Sequence, residues 1–294
     1  MGGLALMIAL FCSGCASIQD LWNGVKNHWS STLSASDEDT IYLEAAQQFF
    51  AAVEVGDSGA VRDCFSINAQ RADPEMEKQI ERLTVLLSGP ITLKNGEHLL
   101  LHGSYSNDHG KKISSVEHTL IITCGENSFW CDMGLNYRDD TDRDNVGITY
   151  INVKTTAFEC AWRSDTWHSQ NEYVEMYDVQ SPGLRVLTEE QLKRPIEGEI
   201  RIINGAPRVY TPAVVLNESE VVDFLQHGAS YTDFTKQFGS GCSGWNHEYH
   251  ELPPIDGAPR YLCLTWDEEQ NEIYAASVCD EWDTLRVVWK QEKE

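Results

Sequence analysis

Positive charge is scarce in this chain. Its 294 residues include 22 Lys and Arg against 46 Asp and Glu, which gives a formal net charge of −24 at pH 7. A surface of this kind repels phosphate backbones, which argues against nucleic-acid binding. It also repels anionic headgroups, so electrostatic attachment to a membrane is disfavoured. An acidic surface of this kind typically keeps a protein soluble.

Signatures of common chemistry are missing as well. The sequence has no glycine motif for dinucleotide binding and no Gly-rich loop that would bind phosphate. It also lacks a recognisable arrangement of Ser, His and Asp for a catalytic triad. The Gly-rich stretch 239–244 contains no Lys and follows a short helix, which indicates a flexible loop. No CxxC pair follows Cys15, so zinc-ribbon and thioredoxin-like sites lack support. We therefore predict no cofactor.

Long apolar runs are absent too, and the longest one stands at the start. It covers about ten residues, too few to span a bilayer, and it leads into small residues and a cysteine. Ser13-Gly14-Cys15 resembles the lipobox of bacterial lipoproteins, which implies cleavage after Gly14 and lipid on Cys15. The sequence thus predicts a signal peptide over 1–15, a tether over 16–38 and a location on the extracytoplasmic face of the cell membrane, anchored by lipid. A buried apolar N-terminal segment is the alternative.

Seven cysteines remain without Cys12 and Cys15. An odd number outside the cell implies a free thiol or an intermolecular bond. Most of them lie in apolar runs, where a free Cys behaves as a small hydrophobic residue. Disulfides and their pairing stay open. The seven are Cys64, Cys124, Cys131, Cys160, Cys242, Cys263 and Cys279.

Residues 39–165 are predicted to fold as an α+β domain of three helices and about four antiparallel strands. A first helix begins near Asp39 and carries apolar residues at every fourth position. Asp57 caps a second short helix, and Asp73-Pro74 opens a third. The hydrophobic period then changes to two, which predicts strands. These strands cover 97–105, 116–124, 129–137 and 147–162.

Two segments carry a resemblance to a known superfamily. Phe49–Asp57 and Phe65-Ser66 give an aromatic helix, a Gly-Asp turn and a short helix ending in Phe-Ser. This order resembles the nuclear transport factor 2-like superfamily, whose fold is the cystatin-like cone of helices on a curved antiparallel sheet. More closely, residues from about 40 to 162 resemble a domain of unknown function in lipoproteins of Gram-positive bacteria. The resemblance implies a fold and a location but no reaction.

The rest of the chain is predicted to form a connector and a second unit. Residues 166–212 form the connector, which contains short strands whose partner strands the sequence does not determine. Residues 213–294 read as two helices followed by antiparallel strands. This order, with Gly228–Phe234, Phe238-Gly239 and Trp245, resembles beta-lactamase-inhibitor-like repeat domains and related outer-membrane assembly lipoproteins. That resemblance implies protein binding.

Candidate site residues share one face of the predicted strands. In the cone-shaped fold, this face lines a cavity in which members of the superfamily place His, Asp or Tyr for acid–base chemistry. His118 and Tyr137 are therefore catalytic candidates, and the alternative is a histidine satisfied within the core. The candidates for the cavity are His118, Cys124, Cys131, Met133 and Tyr137. Trp245 is a binding candidate in the second unit because aromatic anchors dominate interfaces.

Metal sites have little support. Asp140, Asp142 and Asp144 are weak calcium candidates, because an EF-hand loop needs Gly at its sixth position and Glu at its twelfth. Asn145 and Ile151 stand at those positions. The alternative is a solvated hairpin turn.

A zinc site is not predicted at His247-Glu248-Tyr249-His250. The zincin motif places its histidines four residues apart on a helix. Here the spacing is three within a predicted strand, so the two rings point to opposite faces.

Three functions remain open at this stage. The first is a non-catalytic lipoprotein that is tethered to the membrane through its N-terminal lipid and binds an envelope protein, peptide or small ligand. The second is an enzyme of the cone fold with its site in the cavity. The third is an inhibitor or assembly factor acting through the C-terminal unit.

Overall fold

The computed structural model describes residues 38–94, 102–108, 110–168, 172–175, 178–210, 214–227, 230–244, 247–267 and 270–291. They fold into an α+β protein with two compact units. The first unit contains the described residues of 38–155 and 178–188, and the second those of 156–175 and 189–291. The predicted signal peptide and tether, Cys15 and Trp245 lie outside the described residues.

The first unit begins with four helices. They are α1 (Glu38–Glu54), α2 (Ser58–Asp63), α3 (Ile67–Ala72) and α4 (Met76–Leu86). The apolar stripe of α1 is buried as its four-residue spacing predicts. Asp57 caps α2 by accepting the backbone N–H of Ala60. The sequence predicted three helices; α3 is additional, and it forms because Ser66 accepts the N–H of Ala69 as its cap.

A six-stranded sheet follows in the first unit. Its strands are β1 (Ile91–Lys94), β2 (His102–Asp108), β3 (Lys111–Cys124), β4 (Asn127–Asp139), β5 (Gly147–Thr155) and β6 (Gly183–Leu187). The order is β1-β3-β4-β5-β6, with β2 also on β3. All pairs are antiparallel except β5 with β6, which is parallel. The inner face of the sheet shares a hydrophobic core with the helices.

The predicted long strand 147–162 is wrong in its second half. β5 ends at Thr155 and helix α5 (Thr156–His168) begins at once. The apolar period changes there from two to the helical one, since Phe158 and Ala161 are buried three positions apart. Glu159 and Arg163 form an ion pair four positions apart, at 2.7 Å, which only a helix allows.

The second unit contains α5, a hairpin, two helices and a five-stranded antiparallel sheet. The hairpin is β7 (Glu199–Ile203) with β8 (Ala206–Tyr210), and the helices are α6 (Glu218–Gln226) and α7 (Tyr231–Phe238). The sheet has the order β13-β12-β11-β10-β9. Its strands are β9 (Cys242–Gly244), β10 (His247–Ile255), β11 (Ala258–Asp267), β12 (Glu272–Cys279) and β13 (Thr284–Lys290). The predicted helix–helix–sheet order is confirmed.

Both faces of this second sheet are covered. One face shares a core with α6 and α7 that includes Leu225 and Phe234. The other contributes Tyr249, Tyr261 and three cysteines to a smaller core with Ile203. Asn217 caps α6 by accepting the N–H of Ser219, as its position before the helix predicts.

Candidate functional site

The predicted cavity residues lie in the packed core of the first unit. Leu120 pairs with Cys131 and His118 with Met133 across β3 and β4, so all four face the helices. Cys124, Cys131, Met133 and Tyr137 are buried members of that core, and His118 is half-buried beside it. The structure therefore brings the predicted set to one face.

Tyr42 of α1 closes over His118. Its hydroxyl donates to the carbonyl oxygen of His118 at 2.8 Å and lies 3.2 Å from that of Met133. The two rings meet edge to face with 5.8 Å between centroids. Burial raises the pKa of Tyr42 well above its ordinary value, so its hydroxyl remains a proton donor. This side of His118 is occupied by packing.

The opposite face of the same sheet carries a charged pair that the sequence did not single out. Lys154, which is 2% exposed, contacts Asp132 with 2.7 Å between Nζ and Oδ2. Thr119 donates to the other carboxylate oxygen of Asp132 at 2.7 Å. Burial and the nearby carboxylate of Glu117 raise the pKa of Tyr150 on this face. The pair neutralises a buried ammonium, which would otherwise be costly.

The loop with the calcium candidates is held by hydrogen bonds to Asp139. Oδ1 of Asp139 accepts two backbone N–H groups and the hydroxyl of Thr141, while its Oδ2 accepts from Asn145. Burial alone would raise the pKa of Asp139, but these hydrogen bonds lower it to about 2.

The three candidate carboxylates have protein partners. Asp140 pairs with Arg138, Asp142 accepts from Asn68, and Asp144 pairs with Arg71. Among the residues that the structure describes, no group of three His, Cys, Asp or Glu could hold a metal ion.

His247 and His250 point to opposite faces of β10, as the strand spacing predicts. His247 is half-buried, with Nδ1 3.1 Å from the hydroxyl of Thr265. His250 is fully buried and meets the edge of Phe234 in the helix-facing core, with ring centroids 5.2 Å apart. Glu248 shares that face, and its Oε2 lies 3.4 Å from Nε2 of His250.

Glu248 is a buried carboxylate whose Oε1 accepts the backbone N–H of Gly241. Burial raises its pKa, whereas His250, the backbone N–H of Gly241 and the hydroxyl of Tyr231 lower it, and the net direction is down. Tyr231 in turn stacks on Trp266 with 4.3 Å between ring centroids. The sequence motif thus encodes a buried acid–histidine pair that fixes α7 to the sheet.

A groove of about 620 Å³ opens on the second unit, within the usual size range of small-ligand sites. Three segments line it: the end of α6, the turn between β11 and β12 with the nearby cap of α7, and the end of β13. We call it the amide groove, because four carboxamides dominate its lining. The lining residues are Leu225, Gln226, Ser230, Gln270, Asn271, Glu272, Ile273, Trp289, Lys290 and Gln291.

A β-bulge places Trp289 in this groove. Val287 pairs with Ser277, but the next pair joins Trp289 to Ala276, so Val288 is an extra residue in β13. In a regular strand without a bulge, Trp289 would lie on the same outward face as Val287, which is 63% exposed. The bulge turns its ring inward, where it packs on the core beneath the helices.

The turn residues of the groove are fixed by hydrogen bonds to α7. Asn271, at φ 54°, accepts the N–H of Tyr231 through its backbone oxygen and the hydroxyl of Thr232 through its side chain. By contrast, the side-chain amides of Gln226, Gln270 and Gln291 hold no hydrogen bond within the described part of the chain. Their donors and acceptors are thus available to a ligand.

The family comparison places residues 48–157 with a domain of unknown function, DUF5104. This match begins inside α1 and ends two residues after β5. It confirms the predicted likeness to a domain of unknown function. No curated protein and no solved structure matches the chain. The amide groove lies entirely outside the matched segment.

The sequence analysis did not predict the amide groove, although it named one tryptophan of the second unit as a binding candidate. Its lining comes from segments about 20 to 65 residues apart in sequence, and it depends on a bulge that no residue of β13 announces. Trp245, the tryptophan that was selected, falls outside the described residues. In the part of the chain that the structure covers, no helix is long and apolar enough to cross a membrane.

Proposed function

We propose that the protein is an extracytoplasmic lipoprotein, anchored to the cell membrane by lipid on Cys15, that binds a ligand of the cell envelope without catalysing a reaction. The observation that carries the binding part is the amide groove. It combines free hydrogen-bonding side chains with one aromatic face, which is the composition of a recognition site. The ligand would bind in the second unit, while the first unit supplies a folded base.

The anchor is supported by the sequence around Cys15. The short apolar run and Ser13-Gly14-Cys15 resemble a lipobox. The predicted resemblance of the first unit to the cone-shaped domains of Gram-positive lipoproteins agrees with a location at the cell membrane. Two acyl chains suffice for stable attachment, and the acidic surface would otherwise keep the protein off anionic lipid.

The composition of the groove favours binding over catalysis. Among its described lining residues, the ionisable side chains are Glu272 and Lys290, and the remaining polar ones are amides and a hydroxyl. Carboxamides do not ionise near neutral pH, so they orient a ligand but offer no acid–base pair. The alternative of a cone-fold enzyme would require a substrate to reach His118 and Tyr137, whose face packs against α1.

A second recess supports the candidate function of an inhibitor or assembly factor. It lies between α6 and α7, and its acidic lining of Glu220, Asp223 and Asp233 surrounds Phe224. A basic segment of a partner protein would fit this charge. Asp223→Lys, which reverses the charge at this position, should then weaken both partner binding and the salt dependence of that binding. Unchanged binding would contradict the function of an inhibitor or assembly factor.

The anchor is tested by intact mass and detergent partitioning of the protein expressed with its upstream region. We expect a lipid-sized mass increment and partition into detergent, both lost in Cys15→Ala. An unmodified mass with the first 15 residues retained would contradict the anchor.

The binding part is tested by sedimentation of residues 16–294 with purified wall and membrane fractions of a Gram-positive bacterium. We expect saturable binding to one fraction without any released product. Trp289→Ala and Gln226→Ala should weaken it, while Val287→Ala, on the outer side of the strand that carries Trp289, should not. Equal binding by all variants would show that the groove is not the site.

A further inference from the structure

We infer that the amide groove binds an uncharged glycan chain. This inference rests on the proposed function, since it names the ligand class of the same groove. Three observations carry it: the charge balance of the lining, the hydrogen-bonding character of its side chains and the inward-turned indole of Trp289.

The charge balance of the groove differs from that of the whole chain. Acidic residues outnumber basic ones by 46 to 22 in the sequence. Among the residues that the structure describes, the lining nevertheless contains one carboxylate, Glu272, and one ammonium, Lys290. A polyanionic ligand would be repelled by the rest of the surface, and a cationic ligand would be attracted more strongly to more acidic parts of that surface. The local field therefore selects a neutral ligand.

The polar side chains suit hydroxyl-rich ligands. Each carboxamide offers two donors and an acceptor, and each sugar hydroxyl is both donor and acceptor, so the two sets match without charge. Gln226, Gln270 and Gln291 lie exposed and project from three separate segments. Such spacing can contact successive hydroxyls along a chain.

The indole of Trp289 supplies the apolar complement. Its ring is half-buried against the core of the second unit, and Ile273 and Leu225 lie on the same lining. The apolar face of a pyranose ring can stack on an indole held in this way, and aromatic anchors of this kind dominate binding energy. The bulge at Val288 is thus a binding feature, because bulges serve to re-aim side chains.

An extended peptide is the competing neutral ligand, and the lining favours it less. A bound peptide usually adds a strand to a row of unpaired main-chain groups. β13 is an edge strand of its sheet, so a peptide that adds a strand would bind along the open edge of β13. The groove is lined by side chains, and the nearest main-chain groups are used within the sheet, since Ala275 pairs with Lys290 and Gln291 donates its N–H to Tyr274.

Calorimetric titration of residues 16–294 tests the inference. The probes are soluble oligosaccharides of glucose and of N-acetylglucosamine, with heparin and an uncharged Gly-Ser-Asn peptide as comparisons. We expect one of the two neutral glycans to bind with a Kd between about 1 μM and 1 mM. Because no charge is neutralised, this Kd should change less than about twofold between roughly 0.05 and 0.5 M salt.

Variants locate the binding. Trp289→Ala should weaken it at least tenfold, which is about 1.4 kcal/mol. Gln226→Ala lies on an exposed helix end, cannot disturb the core, and should weaken it by about threefold or more. Gln237→Ala, which removes a carboxamide from the other recess, is the matched control and should leave the Kd unchanged.

Each contrary result overturns the inference in a distinct way. Absence of heat with both glycans at about 10 mM, from a chain that unfolds normally on heating, contradicts it. Binding of the peptide or heparin in their place, or glycan binding unaffected by Gln226→Ala, does the same. If glycans fail while sedimentation with envelope fractions still depends on Gln226, the ligand class is wrong but the proposed function stands.

Discussion

The buried pair of Glu248 and His250 permits a sharp test of the second unit. We consider His250→Leu, which removes the imidazole but keeps an apolar side chain of similar size against Phe234. The variant leaves a carboxylate that is 1% exposed without the imidazole that lies 3.4 Å from it. Breaking a buried pair in this way typically costs about 3–5 kcal/mol.

The remaining partners of Glu248 set the expected value within that range. Its carboxylate still accepts from Gly241 and Tyr231, and hydrogen bonds to a charged group contribute about 1.5–3 kcal/mol each. We therefore expect a loss near the low end, about 3 kcal/mol in the free energy of unfolding. His247→Leu is the matched control, because it lies three residues away and half-buried on the other face. Its loss should be about 1 kcal/mol or less.

The pH dependence has a defined sign. The pKa of Glu248 is lowered in the folded protein, so its ionised form stabilises the fold above pH 4.5 and that contribution is lost as the pH falls through the folded value. Once protonated, the side chain needs no cation. The deficit of His250→Leu relative to the unchanged protein should therefore be largest near neutral pH and shrink on acidification.

Urea unfolding followed by hydrogen exchange at β10 and β11 measures this deficit within the second unit. Glu248→Gln combined with His250→Leu should lose less than the sum of the single changes, by about 1–3 kcal/mol. The reasoning is refuted if the two histidine variants unfold alike, or if the single changes add without coupling.

Three further predictions concern packing and ionisation. The seven described cysteines are all buried, and burial raises the pKa of Cys160 to about 12. None of them should react with a thiol reagent in the native protein and all should react in denaturant, so a thiol that reacts fast in the native protein would contradict this. Asp139→Asn should lower the free energy of unfolding by about 1–3 kcal/mol at neutral pH. This loss should vanish as the pH falls toward about 2, where Asp139 itself becomes protonated. A loss that does not change with pH in urea unfolding would contradict this prediction. Gly134→Ala should destabilise the first unit by about 1–3 kcal/mol, because the added Cβ would lie 2.4 Å from the ring of Tyr150; unaltered thermal unfolding would show that the ring moves freely.

Local patterns predicted most of the architecture. The four-residue stripe of α1, the Asp57 cap and the alternation of β3 and β4 are confirmed, because each depends on neighbours within a few positions.

The predictions from sequence failed where contacts with distant parts of the chain determine the local structure. The segment of α5 is predicted as strand because its buried residues continue an apolar run from β5, whereas the spacing of Phe158 and Ala161 and the ion pair of Glu159 with Arg163 fit the helix. β6 could not be assigned to a sheet from five residues. The amide groove depends on a bulge, which is a property of the pairing and not of either strand.

One measurement tests the central claim most directly. A photo-crosslinking amino acid is placed at position 226 of the lipoprotein, expressed with its upstream region in a Gram-positive host, and the control position is 287 on the outer side of β13. The account predicts, after illumination, a membrane-bound adduct with an envelope component at position 226 and none at 287. Equal adducts at both positions, or none at 226 in a folded and anchored protein, would contradict the claim that this groove binds the ligand.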